Sequence, residues 1–166
     1  MVIYTNDNVR RQDRLLDETS AMDLLKNGEY GVLSLIEPSD DQSGAYGIPL
    51  NYVWDGGQYL YFHCAPEGHK LDCIATNPKG SFCIIGRTNV ISAKFTTAYE
   101  SIILRGEIQR GLSSEEKMKA LELILRKYSP NDVEVGLKYA EKSFHRTEIL
   151  RLDIRDISGK TKQIHK

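Results

Sequence analysis

Short apolar runs separated by turn-forming residues dominate the pattern along the chain. Several of these runs are rich in β-branched and aromatic side chains, a composition that predicts strands. They occupy residues 31–36, 46–54, 59–62, 81–85 and 100–110. In a further run, Leu150, Leu152 and Ile154 alternate with charged residues, which predicts a strand with one buried face and one face in water.

Turn-forming residues between these runs predict hairpins. Asp55-Gly56-Gly57 separates two of the runs, and an Asp-Gly pair tolerates the positive φ angles that a tight hairpin turn requires. A second cluster of turn formers begins at Pro38 and closes the run before it. We therefore expect neighbouring runs to pair as antiparallel strands.

Three other segments have the pattern of helices. Ser20 and Asp23 resemble a capping box and predict a helix over residues 20–27. A second helix is predicted over residues 69–76, where the Asn-Pro pair that follows would end it. A third begins after Ser113, where another capping box precedes an apolar stripe.

Together these elements predict a mainly β protein. About six strands linked by hairpins, with a few helices outside, favour an antiparallel sheet that closes into a small β-barrel with flanking helices. The strand–helix alternation of a doubly wound parallel sheet is missing, as are the glycine-rich motifs of nucleotide-binding loops. No repeat or low-complexity linker divides the chain, so we expect one domain over residues 1–166, with a polar arm at residues 1–18.

Composition narrows the range of partners. The 22 basic and 23 acidic residues leave a formal net charge of −1, which gives no support for a nucleic-acid partner. No apolar stretch approaches the ~20 residues that a membrane helix needs. The 3 cysteines form no CxxC pair, and an odd number argues against a disulfide framework. We therefore expect a cytoplasmic protein without a membrane segment.

Chemically versatile side chains concentrate at one predicted strand-to-helix corner, which holds His63, Cys64, His69, Lys70 and Cys73. A metal site is one interpretation, but neighbours on a strand point to opposite faces, so at most three of these residues could bind one ion. A cysteine nucleophile with a histidine base is a second interpretation, although a small buried cysteine more often serves packing.

A third interpretation of this corner is an anion site. The turn Pro66-Glu67-Gly68 leads directly into a predicted helix, whose first backbone N–H groups favour a phosphate. Lys70, in the first helical turn, would add a charge-assisted contact. The alternative is that Lys70 is an ordinary surface lysine. The convergence of turn, helix start and lysine favours the anion site.

At these residues the sequence resembles a known family. The segment LYFHCAPEGHKLDCIATNPKGSF, residues 60–82, is similar to flavin-binding split-barrel proteins related to pyridoxamine 5'-phosphate oxidase, and among them to the nitroimidazole-resistance (Nim) proteins. The segments RRQDR at residues 10–14, GIPLNYVWDG at 47–56 and YESIILRGEIQ at 99–109 extend the resemblance over most of the chain. Cys64 departs from it, because many relatives have a serine there.

The resemblance implies a split β-barrel homodimer that holds FMN at the subunit interface. The cofactor-binding residues that it implies are Ile48, Pro49, Leu50, Asn51, Tyr52, His63, Cys64, Lys70, Tyr99 and Ser101. By this correspondence the first five line the isoalloxazine ring, the next three surround the phosphate, and the last two approach the flavin from the partner chain. His69 matches a histidine placed near the flavin and its substrate. No metal is implied.

The function implied is that of an FMN-dependent reductase. A reduced nicotinamide or another donor would supply electrons, and a nitroimidazole, another nitroaromatic compound or a similar small molecule would accept them. His69 would then donate a hydrogen bond or a proton to the substrate, although it could equally be a solvent-facing histidine at a helix start. The alternative function is non-enzymatic: flavin binding and storage, or redox sensing.

Overall fold

The computed structural model describes residues 2–38 and 44–163. The strands are β1 (Ile3–Tyr4), β2 (Tyr30–Ile36), β3 (Ala45–Asn51), β4 (Val53–Trp54), β5 (Tyr59–Cys64), β6 (Lys79–Ile91), β7 (Thr96–Gln109) and β8 (Glu148–Lys162). The helices are α1 (Glu18–Asn27), α2 (His69–Thr76), α3 (Ser114–Tyr128) and α4 (Val133–Ser143). Of the predicted turn that begins at Pro38, residues 39–41 lie outside the described part. Among the described residues, no helix combines the length and the apolar character that a membrane span requires.

The strands form one sheet, which confirms the mainly β prediction. Their order is β3-β2-β6-β7-β8-β5-β4, with antiparallel pairing throughout, and β1 pairs with β8 in parallel. The two ends of this order, β3 and β4, follow each other directly in the chain. A sheet whose edges are formed by one continuous segment must curl round on itself, so the fold is a split barrel with flanking helices.

Tyr52 marks the split between β3 and β4. The sequence predicts one strand over residues 46–54, but the backbone of Tyr52 leaves the ladder and bonds to α3 instead. Its N–H donates to the hydroxyl of Tyr128 (3.0 Å), and its carbonyl accepts from that hydroxyl (2.7 Å) and from Lys127 Nζ (2.9 Å). The Tyr52 hydroxyl donates to the carbonyl of Leu25 in α1 (2.7 Å). One residue thus ties α1 and α3 to the end of the barrel.

The main core fills the inside of the curled sheet. Leu33, Phe82 and Leu104 point inward from the central strands and are fully buried. The Phe82 ring packs edge-on against Phe62 and Tyr52, with centroids 5.0 and 5.2 Å away. Burying each large apolar side chain contributes roughly 1.5–3 kcal/mol, so this core provides the main drive for closing the barrel.

A smaller core lies outside the barrel, beneath α3 and α4. It comprises Val53, Tyr61, Ala120, Leu121, Ala140 and Ile149. The sequence pattern predicts α3, whose Ser113 cap accepts from the N–H of Glu116 (3.2 Å), but it does not predict α4. Gly136 lets α4 approach α3 closely, because a Cβ at this position would lie 2.5 Å from Leu125 Cδ2. These helices cover the predicted wet face of β8, where Arg151 is only partly exposed and bonds to Glu116 (2.8 Å).

Three local predictions need correction. Asp17, and not Ser20, caps α1, because its carboxylate accepts from the backbone N–H (2.9 Å) and the hydroxyl (2.7 Å) of Ser20. In the β4–β5 hairpin only Gly56 has a positive φ (81°), while Asp55 Oδ1 accepts from the N–H of Gly57 (2.8 Å). The N-terminal arm is not merely solvated, since Leu16 is buried in the main core.

Candidate functional site

The β5–α2 corner forms where the sequence predicts it. Gly68, the residue before α2, has a φ of 133°, which strains any residue other than glycine even though the space beside it is open. No side chain caps the helix, so the first N–H groups of α2 have no side-chain acceptor. Lys70 is half-buried in the first turn and makes no hydrogen bond or ion pair within the described residues. The corner therefore offers uncapped N–H groups and an ammonium group to an anion.

Cys64 and His63, although adjacent, lie on opposite faces of β5. Cys64 packs against the main core and lies within electrostatic reach of Lys70. His63 instead lines an apolar cleft of about 420 Å³ between α3 and α4, with Leu121 and Val135 among its walls. The structure therefore brings Cys64 and Lys70 together, but it directs His63 away from the corner.

His69 is held at the start of α2 by contacts with several elements. Its Nε2 lies 3.0 Å from Glu37 Oε1 and 3.7 Å from Cys73 Sγ, one helical turn further along. The Tyr46 ring of β3 packs edge-on against the imidazole, with centroids 4.8 Å apart and planes at 81°. The side chain keeps 49% of its surface exposed, so it remains accessible to a ligand. Glu37 is a partner that the sequence pattern does not indicate.

The thiols near the corner are not set up as nucleophiles. Burial raises the pKa of the Cys64 thiol, and nearby Lys70 offsets only part of that rise. Burial also raises the pKa of Cys73, with Glu37 and Asp72 adding to the effect. A nucleophilic cysteine needs a lowered pKa, so the geometry favours packing for both. Within residues 2–38 and 44–163, no three His, Cys, Asp or Glu side chains are grouped to hold a metal ion.

Four of the five predicted isoalloxazine-lining residues lie on β3, an edge strand of the sheet order, and the fifth, Tyr52, directly follows it. Ile48 and Leu50 are half-buried against the main core, whereas Pro49 and Asn51 are exposed on the opposite face of β3. Tyr52 has a relative exposure of 0%, so neither its ring nor its backbone is open to a ligand in this chain. The structure therefore places four of these five residues at an accessible edge and the fifth in the core.

Tyr99 and Ser101 lie on β7, on the face of the sheet that points away from the main core. Tyr99 lines a shallow cavity together with Lys162, where β7 begins and β8 ends. Ser101 lines another of about 240 Å³, which it shares with Arg10 of the N-terminal arm and Lys160 of β8. Neither Arg10 nor Lys160 has an ion-pair partner within the described residues. Arg10 and Lys160 thus add positive charge beside a predicted cofactor contact, because pairing of Ser101 with Lys160 aligns them across the sheet.

Comparisons with solved structures show the fold in other proteins. A candidate 5-nitroimidazole antibiotic resistance protein from Bacteroides thetaiotaomicron matches with a TM-score of 0.74 at 18% identity, over 89% of this chain and 86% of that chain. An FAD- and haem-binding protein from Mycobacterium smegmatis matches with a TM-score of 0.72 at 18% identity, over 92% and 75%. The flavocytochrome Anf3 from Azotobacter vinelandii matches with a TM-score of 0.72 at 14% identity, over 96% and 75%.

No curated protein matches the chain. A protein-family model does match it, over residues 17–161, and that family is described as pyridoxamine 5'-phosphate oxidase. The match spans α1, α2, α3 and α4 and all of the described sheet except β1 and the last residue of β8. It confirms the resemblance drawn from the segments at residues 47–56, 60–82 and 99–109. The chain belongs to the pyridoxamine 5'-phosphate oxidase family.

Proposed function

We propose that this protein is an FMN-dependent oxidoreductase that works as a homodimer and reduces nitroimidazoles, other nitroaromatic compounds or similar small molecules. The observation that carries the proposal is the β5–α2 corner, where Lys70 lies in the first turn of a helix whose first N–H groups have no side-chain cap. A reduced nicotinamide is the expected electron donor. The flavin supplies the redox chemistry, and the chain binds it and sets its surroundings.

The residues at the corner fit the phosphate end of the cofactor. Lys70 would contact a phosphate oxygen as a donor, together with the N–H groups of His69 and Lys70 at the start of α2. Cys64 stands close enough to Lys70 to border the same position, but a neutral thiol is a weak hydrogen-bond donor. The accessible edge formed by Ile48, Pro49, Leu50 and Asn51 would lie against the ring system.

The outer face of the sheet supports a homodimer. Tyr30, Ile36, Ile85 and Ile103 are large apolar residues on β2, β6 and β7 with exposures of 58, 51, 59 and 39%. These strands are neighbours, and along each of them the exposed residues alternate with buried ones, so the four side chains share one face. An apolar face of this kind on a soluble domain marks an interaction surface. A second copy is the occupant that we propose, because Ser101, the predicted contact to the partner's flavin, lies on the same face.

The first experiment identifies the cofactor. The purified protein should be yellow, and denaturation should release FMN, which chromatography separates from FAD. FAD is the appropriate comparison because the relative from Mycobacterium smegmatis binds FAD and haem. Release of FAD alone would overturn FMN as the cofactor. A colourless preparation that takes up neither flavin would overturn the proposal as a whole.

The second experiment tests turnover. Under anaerobic conditions NADH or NADPH should bleach the flavin absorption, and a nitroimidazole should restore it. Because the chain has no dinucleotide-binding fingerprint, donor and acceptor would visit the same flavin in turn, and steady-state rates should follow ping-pong kinetics. Tight flavin binding with no restoration by any nitroaromatic acceptor would contradict the reductase and favour storage or redox sensing.

A further inference from the structure

Glu37 and His69 form a contact that joins the end of β2 to the start of α2. Glu37 Oε1 lies 3.0 Å from His69 Nε2, and Glu37 Oε2 accepts a hydrogen bond from the N–H of Gly44 (3.0 Å). The carboxylate is therefore held through both of its oxygens. The Tyr46 ring also packs edge-on against the imidazole, with ring centroids 4.8 Å apart, and limits rotation of the histidine.

This contact decides which imidazole nitrogen carries the hydrogen. An ionised carboxylate can only accept hydrogen bonds, so the nitrogen that faces Glu37 must donate one. In neutral His69 the hydrogen therefore sits on Nε2, and Nδ1 has only a lone pair. Cys73 Sγ, 3.7 Å from the same Nε2, could favour the opposite tautomer by donating its S–H. A thiol is a weak donor, however, and the shorter charged contact to Glu37 dominates.

We propose that Glu37 is a positioning residue that fixes His69 as the Nε2–H tautomer, so that His69 exchanges protons with a bound ligand through Nδ1 alone. Nδ1 makes no hydrogen bond within the described residues, and about half of the side chain is exposed, at 49%. Neutral His69 can then accept a hydrogen bond from a ligand but cannot donate one. The hydrogen bond or proton that the resemblance implies His69 gives to the substrate would then come from the imidazolium.

The same geometry makes the imidazolium a directional proton donor. When both nitrogens carry hydrogen, the proton on Nδ1 can pass to an oxygen of the ligand, while Nε2–H stays bonded to Glu37. The product is again the Nε2–H tautomer, so the ring neither flips nor breaks its contact with Glu37 during the transfer. The ligand in this step rests on the proposed function, whereas the tautomer of His69 does not.

Nitrogen chemical shifts test the tautomer directly. Long-range proton–nitrogen correlation spectra of labelled protein, recorded at alkaline pH where an imidazole is neutral, show which nitrogen carries the hydrogen. The spectrum of His69→Gln identifies the signals that belong to His69. We expect a protonated Nε2 in the wild-type protein. We expect a mixture of tautomers in Glu37→Gln, because an amide can donate as well as accept.

Asp72→Asn is the matched control. It removes an exposed carboxylate from α2 near His69, but Asp72 has no side-chain contact with the imidazole. This variant should keep the wild-type tautomer. A hydrogen on Nδ1 in the wild-type protein would overturn the proposal, and so would a Glu37→Gln spectrum that matches the wild type.

Turnover tests the consequence for the reaction. Glu37→Gln should lower turnover roughly ten- to a hundredfold, the size of effect typical when the hydrogen-bond partner that orients a metal-bound histidine is removed, with cofactor content unchanged. Asp72→Asn should leave turnover at the wild-type rate. A shifted tautomer with unaffected turnover would overturn the role of Glu37 in proton exchange. A wild-type protein that binds flavin, shows the Nε2–H tautomer and turns over no acceptor would instead refute the proposed function.

Discussion

Lys70 is the residue on which the proposed phosphate contact depends most directly. Replacing it with alanine should weaken FMN binding roughly ten- to a hundredfold, because a hydrogen bond to a charged group contributes about 1.5–3 kcal/mol and 1.36 kcal/mol corresponds to a factor of ten. Quenching of flavin fluorescence during titration measures the change in Kd. The fold should be unaffected, because Lys70 has no ion pair or hydrogen bond to lose within the described residues.

Lys26→Ala serves as the control for this change. Lys26 is an exposed lysine in the last turn of α1, so its removal changes the net charge equally without touching the corner. An equal loss of affinity in both variants would mean that the effect is a general one of charge. Unchanged affinity of Lys70→Ala for FMN would mean that Lys70 is an ordinary surface lysine.

Individual residues differ in how well the neighbouring sequence predicts their surroundings in the fold. Gly68 and Lys70 lie where the sequence predicts them, because a turn followed by a helix start is determined by neighbouring residues. Glu37 could not be predicted in the same way, since it meets His69 across 32 positions of the chain. The burial of Tyr52 could not be predicted for a similar reason. Its burial depends on α1 and α3, which no pattern within residues 47–56 can indicate.

Among the elements, α3 is attached to the barrel through a polar cluster centred on Glu116. The Tyr61 hydroxyl of β5 (3.0 Å) and Arg151 Nη1 of β8 (2.8 Å) both donate to Glu116 Oε1. The hydrogen bond from Arg151, assisted by the one from Tyr61, lowers the pKa of Glu116 below its ordinary value of 4.5. The ionised carboxylate therefore stabilises the folded state.

Glu116→Gln should lower the free energy of unfolding by about 1 kcal/mol at neutral pH, a value reduced for the partial exposure of the pair. The pKa of Glu116 is lower in the folded state, so its contribution is complete above pH 4.5 and is lost as the pH falls through the lowered value. Urea titrations over this range should show the difference between wild type and variant shrinking in acid.

Glu115→Gln provides the comparison for Glu116. Glu115 also lies in the first turn of α3 and is exposed, so it shares the favourable interaction with the helix dipole but lacks the contacts with Tyr61 and Arg151. Its removal should cost no more than a few tenths of a kcal/mol. Equal losses of stability in both variants, or a loss in Glu116→Gln that does not vary with pH, would show that the contacts of Glu116 do not attach α3 to the barrel.

Most helices and strands are predictable from the sequence, whereas the way in which they pack against each other is not. Hairpin turns and capping residues act over a few positions, which is why α2, α3 and the β4–β5 hairpin are found as expected. The sequence pattern does not indicate α4, because Gly136 and the β-branched Val133 and Val135 are poor helix formers. Its packing against α3 depends on the absence of a side chain at Gly136, and this property becomes visible only when both helices are in place.

At the scale of the whole molecule, the outer face of the sheet is the surface through which we propose that two copies pair. If two copies meet through Ile36, Ile85 and Ile103, Ser101, which pairs with Ile85, would in the proposed dimer approach the flavin of the partner chain. Assembly and cofactor binding should then be linked, because a site completed by two chains loses affinity when they separate. Sedimentation velocity with detection at the flavin absorption reports both properties in one measurement.

Ile85→Arg is the change that tests this link. Ile85 is 59% exposed on β6, so an arginine side chain fits the monomer. In the dimer, however, two copies of the new charge would have to be buried. The variant should sediment as a monomer and lose most of its flavin, while Val135→Arg, at a 70% exposed position on α4, should remain a flavin-bound dimer. A dimeric Ile85→Arg would show that another surface pairs. A monomeric variant that keeps its flavin would place the whole site within one chain, as would a wild-type protein that is monomeric with flavin bound.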